Sequence, residues 1–116
     1  MDQESIYNNL NSNYTLKEIQ KYIKDMVDLR GFTDQEPEKT MLLLLEETGE
    51  LAKAIRKSKT NIGIDQTRIQ NYDTVESEVA DVFFVLTTIC NKLDIDLYSA
   101  LKEKEGKNIK RNWKIN

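Results

Sequence analysis

The sequence contains no histidine. That absence excludes the usual zinc sites, Ser-His-Asp triads and Glu-x-x-His di-iron bundles. Metal chemistry in this chain must therefore rest on carboxylates. There is one cysteine, Cys90, so no intrachain disulfide can form, which fits a reducing compartment. Cys90 follows Leu86-Thr87-Thr88-Ile89 and reads as a small buried hydrophobe. Proline occurs once and glycine four times, too few to break the chain into strands and tight turns. No apolar run approaches the length needed to cross a bilayer, and the run from Met41 to Leu45 is far too short. The start, Met1-Asp2-Gln3-Glu4, is acidic and lacks the features of a secretory signal. A basic excess is missing too: 17 Lys and Arg stand against 20 Asp and Glu, the wrong balance for coating a nucleic-acid polymer. The expectation is a cytoplasmic protein with neither a membrane nor a nucleic-acid polymer as partner.

With 116 residues the chain is one domain with a thin core. Apolar positions recur with a helical period, and β-type alternation is weak, so the fold is expected to be all-α. The first helix is predicted over Leu16–Leu29, capped by Thr15 with Glu18 completing a capping box and stopped at Gly31. Leu16, Ile19, Ile23, Met26 and Val27 form its apolar face. A second helix is predicted from Pro37 to Lys57; the apolar run Met41–Leu45 covers every side of it, so its first half is expected to be buried all round. In so small a protein this points to a partner subunit. Residues 58–71 are polar and aperiodic and are expected to form a long loop, a mobile lid. A third helix is predicted over Thr74–Leu93, with Asp73 and Glu76 as its capping signature. A fourth is predicted from Asp96 as cap to Arg111. Residues 1–14 are expected to be a flexible extension, and 15–116 the functional domain.

Chemistry enters with the acids. The second helix carries Glu46-Glu47-x-x-Glu50 and the third carries Glu78-x-x-Asp81. Residues three apart share a helix face, so Glu47 projects with Glu50, and Glu78 with Asp81. The stripe through Glu47 and Glu50 runs on to Leu43 and Ala54, and that through Glu78 and Asp81 reaches Val75 and Val85, so the acids lie on or beside faces that read as buried. Burying several carboxylates without compensation costs many kcal/mol. A hard divalent cation would neutralise them, and oxygen-only ligands favour Mg²⁺, Mn²⁺ or Ca²⁺ over zinc. The competing reading is a solvated acidic stripe on ordinary amphipathic helices. Phe32 is a candidate for stacking on a nucleobase, the alternative being that it packs the first loop against the second helix.

At these residues the chain resembles the MazG-like, all-α nucleoside triphosphate pyrophosphohydrolase superfamily. The matching segments are LEETGELAKAIRK (45–57), ESEVADVFFVL (76–86) and DLYSALKEKEGKNIKR (96–111). In the last, Ala100, Lys104, Asn108 and Arg111 keep the family spacing. The TLKEIQ and RGF segments near the N-terminus also look familial. The resemblance implies a four-helix MazG-like bundle with antiparallel core helices, completed by oligomerisation into a homodimer or homotetramer. It implies that nucleoside triphosphates are hydrolysed to monophosphate and pyrophosphate. Glu47, Glu50, Glu78 and Asp81 would hold Mg²⁺, for which Mn²⁺ could substitute. Glu50 or Glu46 would take the proton of the attacking water, and Lys104, Asn108 and Arg111 would contact the triphosphate. Competing readings are a phosphoribosyl-ATP pyrophosphohydrolase and a non-catalytic helical interaction module.

Overall fold

The helices begin where side chains supply caps. In a computed structural model, which describes residues 2–59 and 74–114, five helices follow one another: α1 (Gln3–Asn9), α2 (Leu16–Leu29), α3 (Pro37–Lys59), α4 (Val75–Lys92) and α5 (Leu97–Asn108). No strand occurs among the described residues. At α2 the Thr15 hydroxyl accepts the Glu18 N–H at 3.1 Å, and the Glu18 carboxylate accepts the Thr15 N–H at 2.9 Å, the expected capping box. Asp96 caps α5 by accepting the Ser99 N–H at 2.9 Å and its hydroxyl at 2.7 Å. The cap of α4 is Thr74, which accepts the Ser77 N–H; it lies one position beyond the residue expected from the Asp73 signature.

Two Schellman motifs end helices and set the turns. After α2, Gly31 sits in the left-handed region (φ 84°). The Phe32 N–H bonds back to the Val27 carbonyl and that of Gly31 to Asp28. After α4, Asp94 takes the same conformation (φ 55°) without the freedom of glycine, and the Ile95 N–H bonds to the Cys90 carbonyl at 2.8 Å. The sequence offered no glycine at this second turn, yet the turn forms, because Asp tolerates the left-handed region better than most residues.

Within residues 1–14, Gln3–Asn9 form α1, which has no buried residue. Asp2 accepts the Ser5 N–H at 2.9 Å, and the short helix packs on α2, with the Arg30 guanidinium donating to Gln3 at 3.0 Å. The loop expected over residues 58–71 lies outside the described residues, except that Ser58 and Lys59 continue α3.

α3 and α4 form the main pair, α2 packs on α4, and α5 packs on the start of α2. The pair is antiparallel. Lys92, at the end of α4, donates from Nζ to the Phe32 and Thr33 carbonyls just before α3, while Glu78, near the start of α4, meets Glu47 in mid-α3. The core is small: Ile23, Met26, Val27, Val85 and Cys90. Thr40, Thr87 and Thr88 are buried among them. Within the single chain the first half of α3 is buried on part of its surface only. Met41, Leu42 and Leu45 are exposed; among the described residues the helix that packs along α3 is α4. The Cα radius of gyration is 17.5 Å, against about 13 Å for a compact domain of this length.

Candidate metal centre

The helical register decides which acids meet. At about 100° per residue, Glu47 falls in the centre of the α3 stripe made by Leu43, Leu44, Leu51 and Ala54, all half-buried. Glu78 holds the same place on α4, in line with half-buried Val82 and Ile89 and buried Val85. These stripes are the faces by which the two helices pack. Glu78 is 5% exposed, Glu47 is half-buried and Asp81 is exposed. One carboxylate oxygen from each lies within 4.8 Å of the others. The result is a cluster with a buried floor, Glu78, and a wet mouth, Asp81.

Such a donor set fits a hard cation. It offers oxygen alone, and three formal charges this close repel one another, which a bound cation would offset. The exposed side leaves room for water and for the oxygens of a second ligand, as Mg²⁺ sites usually require.

Glu50 and Glu46 are exposed, and neither is part of the close cluster. Glu50 is turned about 60° from Glu47 around α3, just as Asp81 is turned about 60° from Glu78 around α4. In an antiparallel pair, equal turns of the same sense bring side chains to the same side. Glu50, Glu46 and Asp81 therefore share the side on which the cluster opens to solvent.

The candidate substrate residues lie elsewhere in the single chain. Lys104, Asn108 and Arg111 belong to α5 or the turn after it, and α5 packs on α2 rather than along the α3–α4 pair. Asn108 is half-buried; Lys104 and Arg111 are exposed. Arg111 stacks over the Trp113 ring, 4.6 Å from its centroid, and the Trp113 indole N–H donates to the Asn108 carbonyl at 2.9 Å. Trp113 thus braces both residues. Phe32 is 54% exposed. Its carbonyl is held by Lys92, and the loop enters α3 at Pro37, ten residues or about 15 Å of helix before Glu47.

Sequence reasoning missed buried Gln20 and half-buried Asn91, a polar pair joining α2 to the end of α4. A signal was present: Gln20 falls on the apolar stripe of α2, four residues after Leu16 and three before Ile23, where a polar residue needs a partner.

No helix among the described residues is long and apolar enough to cross a membrane. The chain is 28% identical over 102 residues to the uncharacterized protein YvdC of Bacillus subtilis (strain 168), an alignment covering 83% of this chain and 94% of that protein. Residues 35–115, from the end of the α2–α3 loop to beyond α5, match the MazG nucleotide pyrophosphohydrolase domain. On a match over most of its length, with an all-helical fold and paired acids on adjacent helices, the chain belongs to the MazG nucleotide pyrophosphohydrolase family.

Proposed function

We propose that this protein is a cytoplasmic, Mg²⁺-dependent nucleoside triphosphate pyrophosphohydrolase that removes ordinary or damaged (deoxy)nucleoside triphosphates from the nucleotide pool, yielding monophosphate and pyrophosphate. The observation that carries this reading is the convergence of Glu47, Glu78 and Asp81 to within 4.8 Å in a chain of this family. Glu47, Glu78 and Asp81 would hold the cation, with Glu50 at the rim of the same opening. When bound, Mg²⁺ offsets the charge of the triphosphate and of the leaving pyrophosphate and acidifies a water. Glu50 and Glu46, both exposed, would accept the proton of the attacking water. Lys104, Asn108 and Arg111 supply donors for phosphate oxygens, and the exposed Phe32 ring offers a face to a nucleobase.

The α5 residues lie away from the acids in one chain, which favours a site completed across subunits. An apolar surface supports the same assembly. Met41 and Ile55 on α3, with Val79, Phe83 and Leu86 on α4, are all between 38% and 50% exposed. By the same helical geometry they share the side of the pair opposite the acids' opening. A homodimer or dimer of dimers would cover that face.

The test is pyrophosphate release from a panel of ordinary and modified triphosphates, with phosphoribosyl-ATP included, in the presence of Mg²⁺. Wild type is compared with Glu78→Gln and Glu50→Ala. Loss of release in both variants is expected. Release at the wild-type rate by both removes the site assignment, and silence of the wild type toward every substrate favours a helical module without catalysis.

A further inference from the structure

Helix α5 has no buried residue. With no buried anchor of its own, α5 depends for its direction on the turn it leaves and on its contact with the start of α2. At that exit, beside the Asp96 cap and the turn's own backbone bonds, one side chain from another helix takes hold. Gln20 of α2 is 6% exposed, and its amide is fully used. Nε2 donates to Asn91 Oδ1 at 3.1 Å and to the Ile95 carbonyl at 3.0 Å. Oε1 accepts the Leu97 N–H, the first of α5, at 2.8 Å. Asn91 returns a bond from Nδ2 to the Gln20 carbonyl at 2.9 Å. The three groups Gln20 grips are the last turn of α4, the turn itself and the first residue of α5. That turn already includes Asp94 in the left-handed region, a conformation the surrounding structure has to hold in place.

We propose that Gln20 is a positioning residue: it fixes the angle at which α5 leaves the α4–α5 turn, and so places Lys104, Asn108 and Arg111 toward the triphosphate. This rests on the proposed enzymatic reading, and it goes beyond the family match, because Gln20 lies outside residues 35–115. The lever is long enough to matter. Lys104 is seven residues from Leu97, about 10 Å along the helix, so a tilt of about 10° moves it by about 2 Å. Displacements of about 1 Å at a substrate-holding group are enough to weaken its action strongly.

Two substitutions test the proposal. Gln20→Met keeps the length of the side chain and deletes all three of its bonds. Gln20→Glu keeps an oxygen for the Leu97 N–H and deletes both donors. Amide hydrogen exchange on the full-length protein needs no substrate. In Gln20→Met the α5 amides are expected to exchange about tenfold faster or more, with a smaller rise in Gln20→Glu, while α3 and α4 keep their protection. With Mg²⁺ and a hydrolysed triphosphate, KM is expected to rise about tenfold with kcat nearly unchanged, the signature of weakened substrate holding. Mn²⁺ affinity measured by calorimetry should not move, since Glu47, Glu78 and Asp81 are untouched. Wild-type exchange rates in α5, loss of protection spread equally over α3 and α4, or an unchanged KM overturns the proposal. If Gln20→Met does not fold, Gln20→Glu decides on the same measurements. A wild type inactive on every triphosphate removes the enzyme reading instead, and the exchange experiment then decides alone whether Gln20 aims α5.

Discussion

The cluster of Glu47, Glu78 and Asp81 predicts a reversal between two stabilities when Glu78 is made Gln. Glu78 is the member buried to 5% exposure, with oxygens of the other two acids within 4.8 Å. Two unit charges at that distance repel by about 3 kcal/mol at an effective dielectric of about 20, and by less where water reaches exposed Asp81. Glutamine keeps the shape and one acceptor oxygen while removing a charge. Without a divalent cation, Glu78→Gln is therefore expected to be as stable as wild type or more so. With Mg²⁺ at ten times the wild-type Kd, linkage adds about 1.4 kcal/mol to the wild type. For a chain of 116 residues that is a rise in Tm of about 6 °C. Losing a charged ligand weakens binding by about 100-fold or more, since even groups one layer further out cost 10- to 100-fold. At the same Mg²⁺ concentration the variant then gains under about 0.1 kcal/mol, a shift below about 1 °C. Thermal unfolding with and without Mg²⁺, repeated with Mn²⁺, measures all four cases. An equal shift in the two proteins, or a variant much less stable without metal, would show that Glu78 is a structural acid and not a ligand.

Other features make independent predictions. Gly31 at φ 84° has nothing within 4 Å of the position a Cβ would take, so Gly31→Ala costs only backbone strain, about 1 kcal/mol, measurable by urea unfolding. If the exposed apolar side of α3 and α4 carries the proposed subunit contact, substituting Phe83 and Val79 with Glu should give smaller species than wild type in sedimentation; unchanged size would overturn that proposal. Asp96 is held below the usual carboxylate range, first by the Ser99 hydroxyl, then by the Ser99 N–H, with Lys17 adding a smaller pull. A lowered folded pKa means that its contribution is complete above the ordinary value of 3.8 and fades as pH falls through the lowered one. Stability followed by circular dichroism from about pH 5 downward should therefore fall less steeply in Asp96→Asn than in wild type.

The sequence made the four long helices legible because their ends are chemically marked. Thr15 with Glu18, Pro37, Asp96 and Gly31 each satisfy or free a backbone group at a helix boundary, and all act as expected. α1 escaped because its helix is only seven residues long and its cap, Asp2 to Ser5, has no apolar stripe behind it. Pairing of acids three apart was legible too, but that rule cannot tell the centre of a stripe from its shoulder. Glu47 and Glu50 look equivalent by spacing, and only the placement of α4 puts Glu47 in the cluster and Glu50 at its rim. The five apolar residues of Met41–Leu45 are too many for one helix face, and in the single chain Met41, Leu42 and Leu45 are exposed.

The direction of α5 was the least legible feature of all. Lys104 and Asn108 lie one turn apart on α5 and Arg111 follows in the turn after it, so the sequence implies that they act together without saying toward what. The missing information is tertiary and sits far away in the chain, in a glutamine whose bonds reach residues 71 to 77 positions later. A polar residue on an apolar stripe reads locally as an imperfection of α2. In the fold it satisfies the first N–H of α5 and the carbonyl of the turn before it, groups that secondary structure alone leaves open. Where a helix carries site residues but buries none of its own, the element that orients it should be sought among such stripe-interrupting polar residues on its neighbours. Gln20 can be tested by exchange and kinetics together, because only an orienting role predicts a loosened α5 and a raised KM with the acids' cation affinity intact.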